Sequence, residues 1–139
     1  MARQPAGVSE ISADRHALDA RSTAIEEAYE FFLAYAAQGL PSDSGAASQI
    51  RDYLSRFERA VAGLGPFFTD YVAALPVDAG PFAAFIDVID RDARDAQAAV
   101  QMVLAQPSIG SQTIDNLNAS IHVRALLTDL FLIDEILKT

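Results

Sequence analysis

The chain has 139 residues, which suits one domain with its own core. With no cysteine it holds no disulfide, thiolate metal site or cysteine nucleophile, and 51% hydrophobic against 21% charged residues is a folding rather than a disordered composition. Its 10 basic and 19 acidic residues leave a net charge of −9, which repels phosphate backbones and anionic lipid, so neither nucleic acid nor a membrane surface is an expected partner.

The opening residues, Met1 to Gly7, carry no apolar signal core, and no apolar run approaches the roughly 20 residues that span a bilayer. The expectation is a cytoplasmic protein. A single lysine among many alanines, aspartates and arginines reads as high-GC bacterial coding.

Residues 1–10 are expected to be a disordered arm. The first helix is expected from about Ser12 to Gln38, with Leu18, Ile25, Ala28, Tyr29, Phe32, Tyr35 and Ala36 as its apolar stripe. Ser9 or Ser12 is placed to cap it. Gly39 suits the left-handed closing position, Leu40 packs back and Pro41 forbids continuation. After a polar turn, a second helix runs from about Gly45 to Ala62. Its face is Ile50, Tyr53, Leu54, Phe57, Val61 and Leu64. Gly63 and Gly65 break it, and Pro66 starts a short third helix to Leu75, with Phe67, Phe68, Tyr71 and Leu75 inward.

Pro81 opens a fourth helix to about Ala105, with Asp78 or Gly80 near its cap. Phe82, Phe85, Ile86, Ile89, Ala93, Ala96, Val100, Val103 and Leu104 form its stripe. Asp87, Arg91, Asp92, Arg94 and Asp95 lie opposite. Pro107 and Gly110 make a turn, and a fifth helix runs from Ser111, its cap, to Leu137. No segment alternates with period two, and there is no internal repeat. Long helices joined by short turns imply an all-α fold, an antiparallel up-down four-helix bundle with one additional short helix.

The fifth helix is unusual. Counted at 100° per residue from Ile114, its apolar positions cover an arc of about 200°. Asn118, Asp129, His122 and Asp115 fall between about 40° and 100°, in the middle of that arc. Unpaired buried polar groups cost roughly 1–3 kcal/mol each, so this stripe needs partners, water, a proton or a ligand. On the first helix, Asp14 and Arg21 also intrude on the apolar face, which suggests an Arg21–Asp129 or Arg21–Asp115 pair. Three origins fit the stripe: a satisfied network at a wet bundle end, a polar seam between identical subunits, or a ligand site.

Catalytic signatures are missing. No nucleophile elbow, phosphate loop, dinucleotide fingerprint or calcium loop is present, and no cofactor is implied. Di-iron bundles need Glu-x-x-His pairs, which this chain lacks. His122 is followed by Val123, Arg124 and Ala125, without the His-x-x-Lys-Gly of histidine-phosphotransfer domains. His16 lies off the first helix's apolar centre and is expected in solvent. Asp87, Asp90, Asp92 and Asp95 point in different directions on one helix, as a solvated face does. Aromatics Tyr29, Phe31, Phe32 and Tyr35 crowd one edge of the first helix and would serve a partner if partly exposed.

The leading expectation is a non-enzymatic module that works by protein–protein contact, self-associating as a homodimer. The alternative is a small-molecule or metal site between the first and last helices, lined by Arg21, Asp115, Asn118, His122 and Asp129. His122, Asp115 and Asp129 are the weak metal-ligand candidates within it. An acidic inhibitor of a basic toxin is a third reading.

Overall fold

The computed structural model describes residues 8–43 and 48–138, with side chains from Asp14 onward. Among them are six helices and no strand: α1 Val8–Ala37, α2 Gln49–Val61, α3 Leu64–Ala73, α4 Gly80–Leu104, α5 Ser111–Ala119 and α6 His122–Lys138. The all-helical expectation agrees. No helix among the described residues is long and apolar enough to cross a membrane. Of the arm expected at 1–10, residues 8–10 belong to α1 and 1–7 lie outside the described residues. Ser9 and Ser12, the expected caps, lie inside α1 rather than at its start, and the expected start of the second helix at 45–47 lies outside the described residues.

Helix α1 packs on α2, α5 and α6, while α4 packs on α2, α3 and α6. The core lies between these two long elements. Leu18, Ile25, Ala28, Phe32 and Tyr35 enter it from α1, Ile50, Leu54, Phe57 and Val61 from α2, and Ile86, Ile89, Ala93, Ala96, Val100 and Val103 from α4. These are the positions that recur every three or four residues in the sequence, so the periodicity fixed which face turns inward. Small Ala93 and Ala96 beside Ile89 and Val100 give α4 an uneven surface for its neighbours to fill.

Two boundaries moved. Gly63 takes a left-handed conformation (φ 67°) and starts α3 at Leu64, so Pro66 is its third residue rather than its first. That position still lies in the first turn, where a backbone N–H has no helical acceptor, and proline costs nothing there. The segment expected as one helix from Ser111 to Leu137 is two helices, α5 and α6.

The loops between α1 and α2 and between α4 and α5 are laced together by side chains. Asp43 accepts Arg51 Nε at 2.8 Å, Ser48 Oγ at 2.9 Å and the Ile109 N–H at 2.8 Å. Arg51 also donates to the carbonyls of Leu104 (3.2 Å) and Gln106 (2.9 Å), the exposed C-terminal end of α4. The Tyr35 hydroxyl donates to Ile109 O at 2.6 Å. Ser111 does not cap α5, whose N-cap is Gly110. Its hydroxyl donates to Tyr35 O at 2.6 Å and accepts the Leu40 N–H at 2.9 Å, while its own N–H donates to Leu40 O at 2.8 Å. The Leu40 side chain, expected to pack back, is exposed; the backbone of this residue makes the contact instead.

Helices α3 and α4 approach closely at Gly65. A Cβ built there would stand 2.4 Å from Asp90 Oδ1 and 2.6 Å from Asp90 Cβ, so the backbone of one helix would have to retreat. Gly65→Ala is expected to cost about 1–3 kcal/mol of stability. An unhindered helical glycine would instead gain about 0.5–1 kcal/mol from the same change. Urea unfolding decides between them, and a midpoint at or above wild type would refute the close approach.

Candidate functional site

The last two helices meet at a sharp break. Helix α5 ends in Asn118-Ala119-Ser120, and the Ser120 hydroxyl donates to Leu117 O at 2.6 Å, closing the turn on itself. Ile121 then adopts φ 65° and is the non-glycine residue with positive φ among the described residues. Its carbonyl accepts the Ala125 N–H at 2.7 Å and starts α6. Left-handed backbone costs a residue with a Cβ roughly 1–2 kcal/mol, more so when it is β-branched.

The break rotates α6 relative to α5, so the polar stripe counted on an unbroken helix does not exist as one surface. Asp115 and His122 are exposed, while Asn118 and Asp129 are partly buried. Among the described residues, no hydrogen bond or ion pair joins any two of Arg21, Asp115, Asn118, His122 and Asp129. Arg21 is engaged elsewhere: its Nη1 donates to Ala62 O at 2.8 Å and its guanidinium lies over the Phe67 ring at 4.8 Å. It thereby ties α1 to the end of α2 and to α3, and neither aspartate is its partner. Asn118 keeps both side-chain heteroatoms buried without a hydrogen-bond partner. His16 is exposed, as expected. No group of three or more His, Asp or Glu side chains among the described residues is placed to hold a metal ion.

His122 instead borders a groove of about 330 Å³ between the C-terminal part of α4 and the break, where Met102, Val103, Asn116, Leu117 and Ser120 also contribute. Most of its wall is apolar, and Met102 is 65% exposed.

Further along the α4–α6 seam, Asp129 and Asp92 are both partly buried, and Asp129 Oδ2 is buried without a hydrogen-bond partner. Burial, and then the neighbouring Asp92 carboxyl, push the Asp129 carboxyl up to about 7. Asp92 had been assigned to the solvated face of the fourth helix. Its position at the edge of the α4 stripe was the available signal, because an edge residue meets whatever lies beside the helix.

The outer face of α6 is the third feature. Val123, Leu126, Leu127, Leu130 and Ile133 fill its inner face completely, yet Phe131, Leu132 and Ile136 are 54%, 51% and 50% exposed. The first-helix aromatics do not supply such a surface. Phe32 and Tyr35 are buried, and Phe31 stacks on Tyr53 at 4.2 Å.

Two measurements probe these features. Ile121→Gly is expected to be more stable than Ile121→Ala by about 1 kcal/mol, reversing the usual helical order, because only glycine escapes the left-handed penalty. Equal stabilities would remove the strain. The second concerns pH. Asp129 titrates near 4 when unfolded and about 7 when folded. Its contribution to stability is therefore full below about 4 and is lost as pH rises to about 7. Asp43 runs the other way. Its hydrogen bonds from Arg51, Ile109 and Ser48 hold it below the usual carboxylate range, so its contribution is lost only in more acidic solution. The melting temperature should fall as pH rises from about 4 to about 7, and Asp129→Asn should flatten that fall and melt higher at the alkaline end. Parallel curves for the two proteins would contradict the raised titration of Asp129.

No protein-family model, curated protein or solved structure matches this chain.

Proposed function

We propose that this chain is a protein-binding helical module that acts by self-association through the outer face of α6. In this reading α1, α2, α4 and the broken pair α5–α6 serve as the four members of an antiparallel bundle, with α3 as the additional short helix. The observation that carries the proposal is the row of Phe131, Leu132 and Ile136, three large apolar side chains half in solvent within six residues of a helix whose inner face is already full. Single exposed leucines need no explanation, but three large apolar side chains half in solvent on one short helix mark a contact surface.

A second copy suits the row by charge as well as by shape. On α6, Arg124 and Glu135 flank Phe131 and Thr128 on the exposed side, and neither forms an ion pair among the described residues. An antiparallel two-fold axis between positions 129 and 130 sets Arg124 against the partner's Glu135, and Thr128 against the partner's Phe131. Each ion pair then occurs twice, as an isologous contact requires. The cytoplasmic location expected from the sequence belongs to the same proposal.

The groove beside His122 favours one second reading, a small apolar ligand. A melting-temperature rise with a metabolite panel, abolished by Met102→Glu, would support it.

Sedimentation of the full chain tests self-association. Wild type is expected to form dimers at micromolar concentration, and Phe131→Glu or Leu132→Glu to give monomers that melt like wild type diluted to its monomeric range, since both side chains are half-exposed already. A wild type that stays monomeric at high micromolar concentration overturns the proposal.

A further inference from the structure

A groove of about 310 Å³ between α1 and α2 is lined by Ala20, Arg21, Ala24, Arg56, Arg59 and Ala60. In a chain of net charge −9, three of the 10 basic residues converge on this one groove, and no carboxylate lines it. The two helices run antiparallel here. Phe31 stacks on Tyr53 toward one end, and Arg21 reaches the Ala62 carbonyl at the other. Between those two ties the floor residues are alanines, so the floor is apolar and holds no long side chain to fill it.

The three arginines differ in what holds them. Arg21 gives one N–H to Ala62 O at 2.8 Å and lies over the Phe67 ring at 4.8 Å, which leaves most of its donors for another acceptor. Arg56 pairs with Asp52 at 2.7 Å and lies over the Tyr53 ring at 5.0 Å. A ring beneath a guanidinium fixes its plane and leaves its N–H edge open. Arg59 is exposed and has no hydrogen bond or ion pair among the described residues. It stands three residues from Arg56 on the same helix, a spacing at which like charges repel. A cation in the last turn of α2 suits the helix dipole, but that accounts for neither Arg21 nor Arg56 at the same groove.

We propose that the α1–α2 groove binds a small organic anion, an oxyanion head carried on a compact apolar body. A guanidinium fork matches the paired oxygens of a carboxylate or a phosphate. Three forks on one groove hold more positive charge than Asp52 offsets. The alanine floor takes the apolar body, and the volume lies at the lower end of the roughly 300–1,000 Å³ of small-molecule sites. A polyanion is a poorer fit. Asp19 and Glu27 on α1 and Asp52 on α2 are exposed on the same two helices, and they confine the positive field to the groove itself. The site does not use the outer face of α6, so it stands or falls apart from self-association.

Calorimetric titration of the full chain tests the proposal. Benzoate and phenyl phosphate supply the two head groups on one apolar body, benzyl alcohol the body without charge, and inorganic phosphate the head alone. At least one anionic probe should saturate a single site, about tenfold or more tighter than either control, and the better of the two tells carboxylate from phosphate. Arg59→Gln should weaken that binding by about tenfold or more, and its fold should be unaffected, since Arg59 is exposed and unpaired. Ala20→Leu, at an exposed position on the groove, should abolish binding by filling it. Arg91→Gln makes the same charge change at an exposed site on α4 and should bind as wild type does. If Ala20→Leu disturbs the fold, Arg59→Gln alone decides. Failure of both anionic probes to saturate by about 10 mM overturns the site. So does benzyl alcohol or inorganic phosphate binding as tightly as the anionic probes, an Arg59→Gln titration that matches wild type, or an Arg91→Gln loss as large as that of Arg59→Gln.

Discussion

The contact on which the arrangement of helices most depends is polar. Asp43 and Arg51 meet at the junction of two loops, and between them they occupy the Ile109 N–H, the Ser48 hydroxyl and two carbonyls at the end of α4. Helix ends leave backbone groups without partners, and a loop buried against another loop leaves more. Here one ion pair and two hydroxyls, those of Tyr35 and Ser111, satisfy both loops at once. Burial and the nearby Asp43 charge push the Tyr35 phenol above its usual range, so it remains a donor. The tie fixes the end of α1 against the start of α5 and the start of α2 against the end of α4. Gly110 sets how near the loops come, since a Cβ there would stand 2.7 Å from Pro41 O.

None of this tie was legible in the sequence. Tyr35 read as an edge aromatic, Ser111 as a cap, and Asp43 as one polar residue in a turn. Each assignment was locally reasonable, because serine near a helix start is most often a cap. The partners that join the two loops are 53 to 76 residues apart in the chain, and periodicity carries no information about such pairs. What periodicity does carry is facing. The buried positions of α4, and all but Ala60 of those of α2, fall on the expected stripes because both helices pack one stripe against a continuous core. The charged face of α4 was read less well. Asp90 closes over Gly65 and Asp92 meets Asp129, since a residue at the edge of a stripe is neither inside nor outside until its neighbour is known.

The polar stripe of the last segment shows how a correct count can describe the wrong object. Counted as one helix, the buried residues of α5, Ile114 and Leu117, and those of α6, Val123 to Ile133, lie about half a turn apart. The arc of about 200° was two separate faces laid on one wheel. Asp115, Asn118, His122 and Asp129 occupied the middle of that arc because they lie between the faces. A single helix seldom buries so wide an arc, and that width was the available sign of a break.

The same half turn accounts for the surface on α6. Had α5 continued unbroken, Ile121, Leu132 and Ile136 would have stayed in phase with Ile114 and Leu117 and faced inward, leaving Val123, Leu126, Leu127, Leu130 and Ile133 outside. The break reverses this choice. It accepts roughly 1–2 kcal/mol of left-handed strain at Ile121 and buries the larger of the two apolar sets, at about 1.5–3 kcal/mol for each fully covered side chain. The smaller set is then left in solvent, at 56% exposure for Ile121 and about half for Leu132 and Ile136. A sequence under no other constraint would have made those three positions polar once the break had turned them outward. That they are isoleucine and leucine means the chain carries two apolar faces in a segment whose own core has room for one, and the other is the face that the proposed self-association would cover.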